Sequence, residues 1–150
     1  MRLRDLFAPD AINLELTTSS TEEVLAAMVE LLHVNAEAGE TLRRMLQRRE
    51  QLGSTGVGRG IAIPHCRSVV VPRLRMAYGR VPAGASYDAI DRQPVHHIFL
   101  IVAPPVETSN DYLPVLGRLA RFAKERDVPS RLASLSSPEE FLTLLEESGD

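Results

Sequence analysis

The sequence predicts an α/β fold: a single domain over residues 1–150 with a central β-sheet covered by helices. Three observations predict it. A chain of 150 residues, 44% of them hydrophobic, has the size and apolar content of one domain with its own core. Segments with helical spacing of apolar residues alternate with short apolar runs, so helices and strands interleave. Residues 95–102, VHHIFLIV, are almost wholly apolar, and a strand of that kind needs cover on both faces.

The elements follow in order. Ser20, Thr21, Glu22 and Glu23 have capping-box spacing, and Val24, Leu25, Met28, Leu31 and Leu32 repeat behind them on one helical face. A second helix is expected over residues 36–52, with Leu42, Met45 and Leu46 on its apolar side and Gly53 as its stop. Arg43, Arg44, Arg48 and Arg49 crowd this helix, by default as a solvated face that also suits an acidic partner. Residues 61–63 and 74–81 are strand candidates, and 95–102 is the strongest, ended by Ala103, Pro104 and Pro105. A third helix is expected over residues 111–125, with Leu113, Leu116, Leu119, Ala120 and Ala123 as its stripe. Pro114 falls in its first turn, where a missing N–H is tolerated. Ser137, Pro138, Glu139 and Glu140 form a second capping box and open a last helix carrying Phe141, Leu144 and Leu145.

Composition excludes several classes. A net charge of -3 argues against a nucleic-acid or membrane-surface binder, both of which need a basic face, and leaves a protein or a small molecule as partner. The single cysteine, Cys66, permits no internal disulfide and no multi-cysteine metal site, which suits a reducing compartment. The N-terminal residues lack the apolar run of a signal peptide, and no stretch approaches the ~20 apolar residues that span a bilayer. A cytoplasmic protein without membrane insertion is expected.

One stretch carries chemistry: GVGRGIAIPHCR, from Gly56 to Arg67. A P-loop needs Gly, four residues, then Gly-Lys-Ser/Thr; counting from Gly53 reaches Gly58, but Arg59 and Gly60 follow. The dinucleotide fingerprint fails on spacing, and these glycines precede a strand candidate rather than open a helix. A Cys66–His65 nucleophile pair is poorly placed, because neighbours on an extended segment point to opposite faces; Cys66 reads as a small packing residue. His65 itself remains. A neutral imidazole offers a lone pair without prior deprotonation, and phosphoryl transfer to it needs mainly positioning and charge stabilisation. Ser54, Thr55, Gly56 and the loop amides are candidates to face phosphoryl oxygens, with Arg49 able to fork onto them. A hydrogen-bonded histidine at a strand end is the commoner case on composition alone.

Residues 50–66, EQLGSTGVGRGIAIPHC, resemble the active-site signature of the fructose/mannitol-type (type 2) enzyme IIA domains of the bacterial phosphoenolpyruvate-dependent phosphotransferase system. The nearest likeness is the stand-alone nitrogen-type enzyme IIA. The resemblance continues through Tyr87-Asp88-Ala89-Ile90-Asp91, Gln93-Pro94-Val95, residues 99–104 and the third helix, and so covers most of the chain. It implies a mixed central sheet with helices on both faces, the mannitol-type enzyme IIA fold. It implies that His65 is phosphorylated by HPr or a close relative. The phosphoryl group then passes to a cysteine of an enzyme IIB or acts as a signal to a regulatory target. Arg49 matches the family's active-site arginine, and no metal or organic cofactor is implied. The sequence departs from the family at one place: Pro114 stands where a second histidine usually lies near the start of the third helix. That departure leaves open a second reading, a regulatory binding module with impaired or lost phosphotransfer. Tyr112, two residues earlier, is a candidate to supply a hydroxyl instead, and His97 a candidate to replace the lost imidazole.

The other polar residues are expected to be structural. His96 and His97 sit at the start of the strongest strand, read as strand-end histidines at the solvent boundary, with no third ligand spaced for a metal. His33 suits a helix C-terminus. Asp88 and Asp91 read as turn caps.

Overall fold

A 3₁₀ turn at Leu3–Leu6 leads into β1 (Phe7–Asn13). Then come α1 (Thr21–Glu30), α2 (Ala36–Gln51) and three short strands, β2 (Gly56–Gly58), β3 (Ile61–Ala62) and β4 (His65–Arg67). The long strands β5 (Arg75–Ala85) and β6 (Val95–Ala103) follow, and α3 (Tyr112–Lys124), α4 (Val128–Ala133) and α5 (Pro138–Glu147) complete the chain. The structure is a computed structural model and describes residues 2–108 and 110–148. The expected domain span of 1–150 includes residues 1, 109, 149 and 150, which lie outside the described residues.

The strands form one six-stranded mixed sheet in the order β1-β5-β6-β3-β2, with β4 also on β6. β5 and β6 are antiparallel, whereas β1 runs parallel to β5, and β3 and β4 run parallel to β6. Helices cover both faces. Ile98, Leu100 and Val102 of β6 join Val24, Leu25, Met28, Leu42 and Leu46 beneath α1 and α2. Phe99, Ile101 and Ala103 turn the other way, joining Val115, Leu119, Phe122 and Phe141 beneath α3 and α5. This is why the β6 sequence is apolar at both parities.

The caps work largely as the sequence predicts. Ser20 and Glu23 close a full capping box on α1. At α5 only half of one forms: the Ser137 hydroxyl accepts from Glu140 N–H, but the Glu140 carboxylate turns to the Ser136 N–H, 2.7 Å away. Five elements were not predicted: β1, β2, β4, α4 and the 3₁₀ turn. β1 reads FAPDAIN, and its proline and aspartate are tolerated because it is an edge strand paired with β5 alone. The 3₁₀ turn, four residues, and α4, six residues, are too short to show a repeating apolar stripe. α4 is held by Arg80, 8% exposed, whose guanidinium donates to the carbonyls of Leu14, Leu132 and Leu135. The phase of α3 also differs from expectation. Its buried face is Tyr112, Val115, Leu119, Phe122 and Ala123, while Leu113 is 69% exposed. Tyr112 and Phe122 lie on the docked side together with Leu119 and Ala123 of the expected stripe.

Candidate functional site

β4 lies beside β6 with His65 opposite Ile101, Cys66 opposite Val102 and Arg67 opposite Ala103. Laterally paired residues share a face of the sheet. His65 and Arg67 therefore lie on the α3 side, and Cys66 packs into the α1–α2 core. Pro64 sits at the break between β3 and β4, where its missing N–H costs no ladder bond; its carbonyl still accepts from Ile101 N–H at 3.0 Å.

His65 is half-buried, and its Nδ1 lies 2.7 Å from the Ile63 carbonyl oxygen. A carbonyl only accepts, so Nδ1 carries the hydrogen and the lone pair sits on Nε2. The ring of Tyr112, the first residue of α3, has its centroid 6.0 Å from that of His65. Burial pushes the Tyr112 phenol up to about 12, Cys66 adds to the rise, and the charges of Arg67 and Arg49 oppose it; the group is an O–H donor at neutral pH. The Arg67 guanidinium carbon stands 4.5 Å from the Tyr112 ring centroid, and its Nη1 donates to the Pro104 carbonyl at 2.9 Å. Arg49, in the last turn of α2, donates to the Gly53 carbonyl at 2.8 Å.

The loop before β2 is held from inside. Both the Thr55 hydroxyl and the Tyr87 phenol donate to Glu50 Oε1, and Thr55 N–H donates to Glu50 Oε2. Ser54 Oγ donates to the Tyr87 carbonyl and accepts from Gly56 N–H. A Cβ on Gly56 would stand 2.8 Å from the Ala89 backbone. The hydroxyls of Ser54 and Thr55, expected to face a phosphoryl group, are bonded within this network.

Residues 5–148 match the family described as phosphoenolpyruvate-dependent sugar phosphotransferase system, EIIA 2. The chain belongs to this family. It is 31% identical to a nitrogen regulatory protein of Bradyrhizobium diazoefficiens over 97% of this chain and 95% of that protein. It is 28% identical to the fructose-specific EIIABC component of Bacillus subtilis, over 97% of this chain but 23% of that protein's length. The crystal structure of nitrogen regulatory protein IIA-Ntr from Neisseria meningitidis superposes with a TM-score of 0.86 at 30% identity, covering 95% of this chain and 98% of that one. The mixed sheet with helices on both faces is therefore the enzyme IIA fold.

In this enzyme IIA, two sequence candidates meet and one does not. Tyr112 adjoins His65. His97 pairs with Ile61, four residues before Ile101 on β6 and roughly 13 Å along the strand from the level of His65. It is 4% exposed and hydrogen-bonded through Nδ1 to the Tyr78 hydroxyl at 2.8 Å. His97 is therefore not an auxiliary to His65, and it is a core residue rather than one at the solvent boundary; His96 alone is half-buried. Pro114 lies exposed in the first turn of α3 and offers no donor. Cys66 faces away from His65, into the opposite core, and burial pushes its thiol up to about 12. Asp91 caps a turn as expected, accepting from the N–H groups of Arg59 and Gln93. Among the described residues no cluster of His, Cys, Asp or Glu has metal-holding geometry, and no helix is long and apolar enough to cross a membrane.

Sequence reasoning missed Glu50, Tyr87 and Arg67. Arg67 had a usable signal, since it is two residues beyond His65 on an extended segment and so shares its face. Glu50 and Tyr87 lie in stretches that carry the family resemblance, but nothing pointed to their pairing, because 37 residues separate them in sequence and only the fold joins them.

Proposed function

We propose that this enzyme IIA is a phosphocarrier whose His65 accepts a phosphoryl group from an HPr-type donor in the cytoplasm. The contact between His65 Nδ1 and the Ile63 carbonyl carries this reading, because it leaves the Nε2 lone pair as the nucleophile. The P–N bond to the donor's histidine breaks as the P–Nε2 bond forms, while the hydrogen stays on Nδ1, donated to the Ile63 carbonyl. Arg49 stabilises the charge on the moving phosphoryl oxygens, and the Tyr112 hydroxyl donates to one of them. The phosphoryl group then passes to a cysteine of an enzyme IIB, or the phosphorylated protein signals to a regulatory target. Identity to nitrogen regulatory proteins, 31% to that of Bradyrhizobium diazoefficiens and 30% to that of Neisseria meningitidis, favours the signalling role. Phosphorylation adds about -1.5 to -2 charges to the patch, enough to change which partner docks. Incubation with a phosphorylated HPr-type donor should add one phosphoryl group to wild type, seen by intact mass, and none to His65→Ala. An unchanged wild-type mass beside a control enzyme IIA that gains the group would reject this role.

Pro114 favours a second reading, a regulatory module that binds its target without phosphotransfer. In that case His65→Ala would bind and control the target as wild type does, whereas the carrier reading requires that control to change.

A further inference from the structure

We propose that Arg67 is a second phosphoryl-binding cation of the site, supplying the charge that a histidine at position 114 would otherwise give. The inference rests on the reading of His65 as acceptor. Three observations carry it. Arg67 and His65 lie two residues apart on β4 and share the face covered by α3, with Cα atoms roughly 7 Å apart, within reach of an arginine side chain. The guanidinium is already held in place, by a hydrogen bond to the Pro104 carbonyl and by stacking on the ring of Tyr112, which itself adjoins the His65 ring. Its charge is also unanswered: among the described residues Arg67 forms no ion pair with a carboxylate, although it is half-buried. A partly desolvated guanidinium without a counter-anion, fixed beside a nucleophile, is suited to bind the anion which that nucleophile acquires.

Arg67 therefore approaches the phosphoryl oxygens from the α3 side, and Arg49 from the end of α2. Tyr112 acts between them as the surface that orients Arg67. No proton moves to or from Arg67. Its N–H groups donate to the phosphoryl oxygens as the P–Nε2 bond forms, when the donor's P–N bond is already weakened.

The test uses the full chain and a small donor, phosphoramidate, so that protein docking does not enter. The phosphoryl group moves from the phosphoramidate nitrogen to His65 Nε2, and ammonia leaves with a proton from water. The rate constant is read by intact mass for wild type, Arg67→Ala and Arg67→Lys, with urea midpoints to confirm folding. Loss of one charge-assisted donor predicts a rate about 10- to 100-fold lower in Arg67→Ala. Arg67→Lys should fall between the two, because it keeps the charge but loses the planar fork. Free guanidinium at non-denaturing concentration should restore part of the rate in Arg67→Ala and leave wild type unchanged. A wild-type rate in Arg67→Ala, or a loss that neither lysine nor guanidinium repairs, overturns the assignment while leaving His65 as acceptor. A wild type that takes up no phosphoryl group from phosphoramidate or from a competent protein donor overturns both.

Discussion

The imidazole of His65 hangs by its Nδ1 from the carbonyl of Ile63, two residues back, at 2.7 Å. The hydrogen bond is local and backbone-made, so the tautomer does not depend on another side chain. The phosphorylated protein is therefore expected to carry the group on Nε2. Nitrogen–phosphorus correlation NMR should show the coupling at Nε2 and the hydrogen still on Nδ1. A coupling at Nδ1 would mean that the ring leaves Ile63 before it reacts.

Glu50 is the hub of the loop beneath the site. One carboxylate oxygen receives both the Thr55 hydroxyl and the Tyr87 phenol, and the other receives Thr55 N–H. Glu50→Ala leaves buried donors unpaired, each worth about 1–3 kcal/mol. It should lower the urea midpoint more than Tyr87→Phe, which removes the phenol's contacts with Glu50 and Thr55 but leaves Glu50 its Thr55 donors. Equal losses would show that Tyr87, not Glu50, organises the loop.

Cys66 stands next to His65 in sequence yet packs into the opposite core. With its thiol pushed up to about 12 by burial, it is uncharged at pH 8 and a poor nucleophile. Native protein should react with iodoacetamide far more slowly than urea-unfolded protein, and Cys66→Ser should leave phosphoryl uptake by His65 intact. Rapid native alkylation would place Cys66 at the surface.

His97 links stability to acid. Burial, helped by the charges of His96 and Arg80, lowers its pKa from 6.5 to about 4. The unfolded chain therefore binds this proton first, so stability declines as pH falls from about 6.5 to about 4 and levels below that, by at most roughly 3 kcal/mol. His97→Gln should be less stable at pH 7 but should lose that slope. Urea midpoints across this range check it, and a wild-type slope retained in His97→Gln would assign the effect to another group.

Much of the fold was legible because it is written locally. The Ser20 and Ser137 caps and the leucine stripes of α1 and α2 marked helices, and the apolar run of β6 marked a strand with two covered faces. β1 was not legible, since Pro9 and Asp10 are tolerated only because its outer edge has no neighbour. α3 was read one face off: Leu113 fits a helical stripe as well as Tyr112 does, and only the docked sheet shows which is buried. Of the site, His65 and Arg49 were legible through the motif around them. The inward turn of Ser54 and Thr55 was not, because it depends on Glu50 and on Tyr87, 37 residues from it.

By itself, then, the sequence determined the family and the α/β order of elements, and it singled out the histidine on which the proposed site centres, since each lies in a contiguous motif or a local period. The tertiary structure alone decided which groups surround that histidine. It took His97 away along β6, brought Tyr112 in from α3, and set Arg67 on the same face of β4. Strand register and helix docking make those choices, and both arise from burial between segments far apart in the chain.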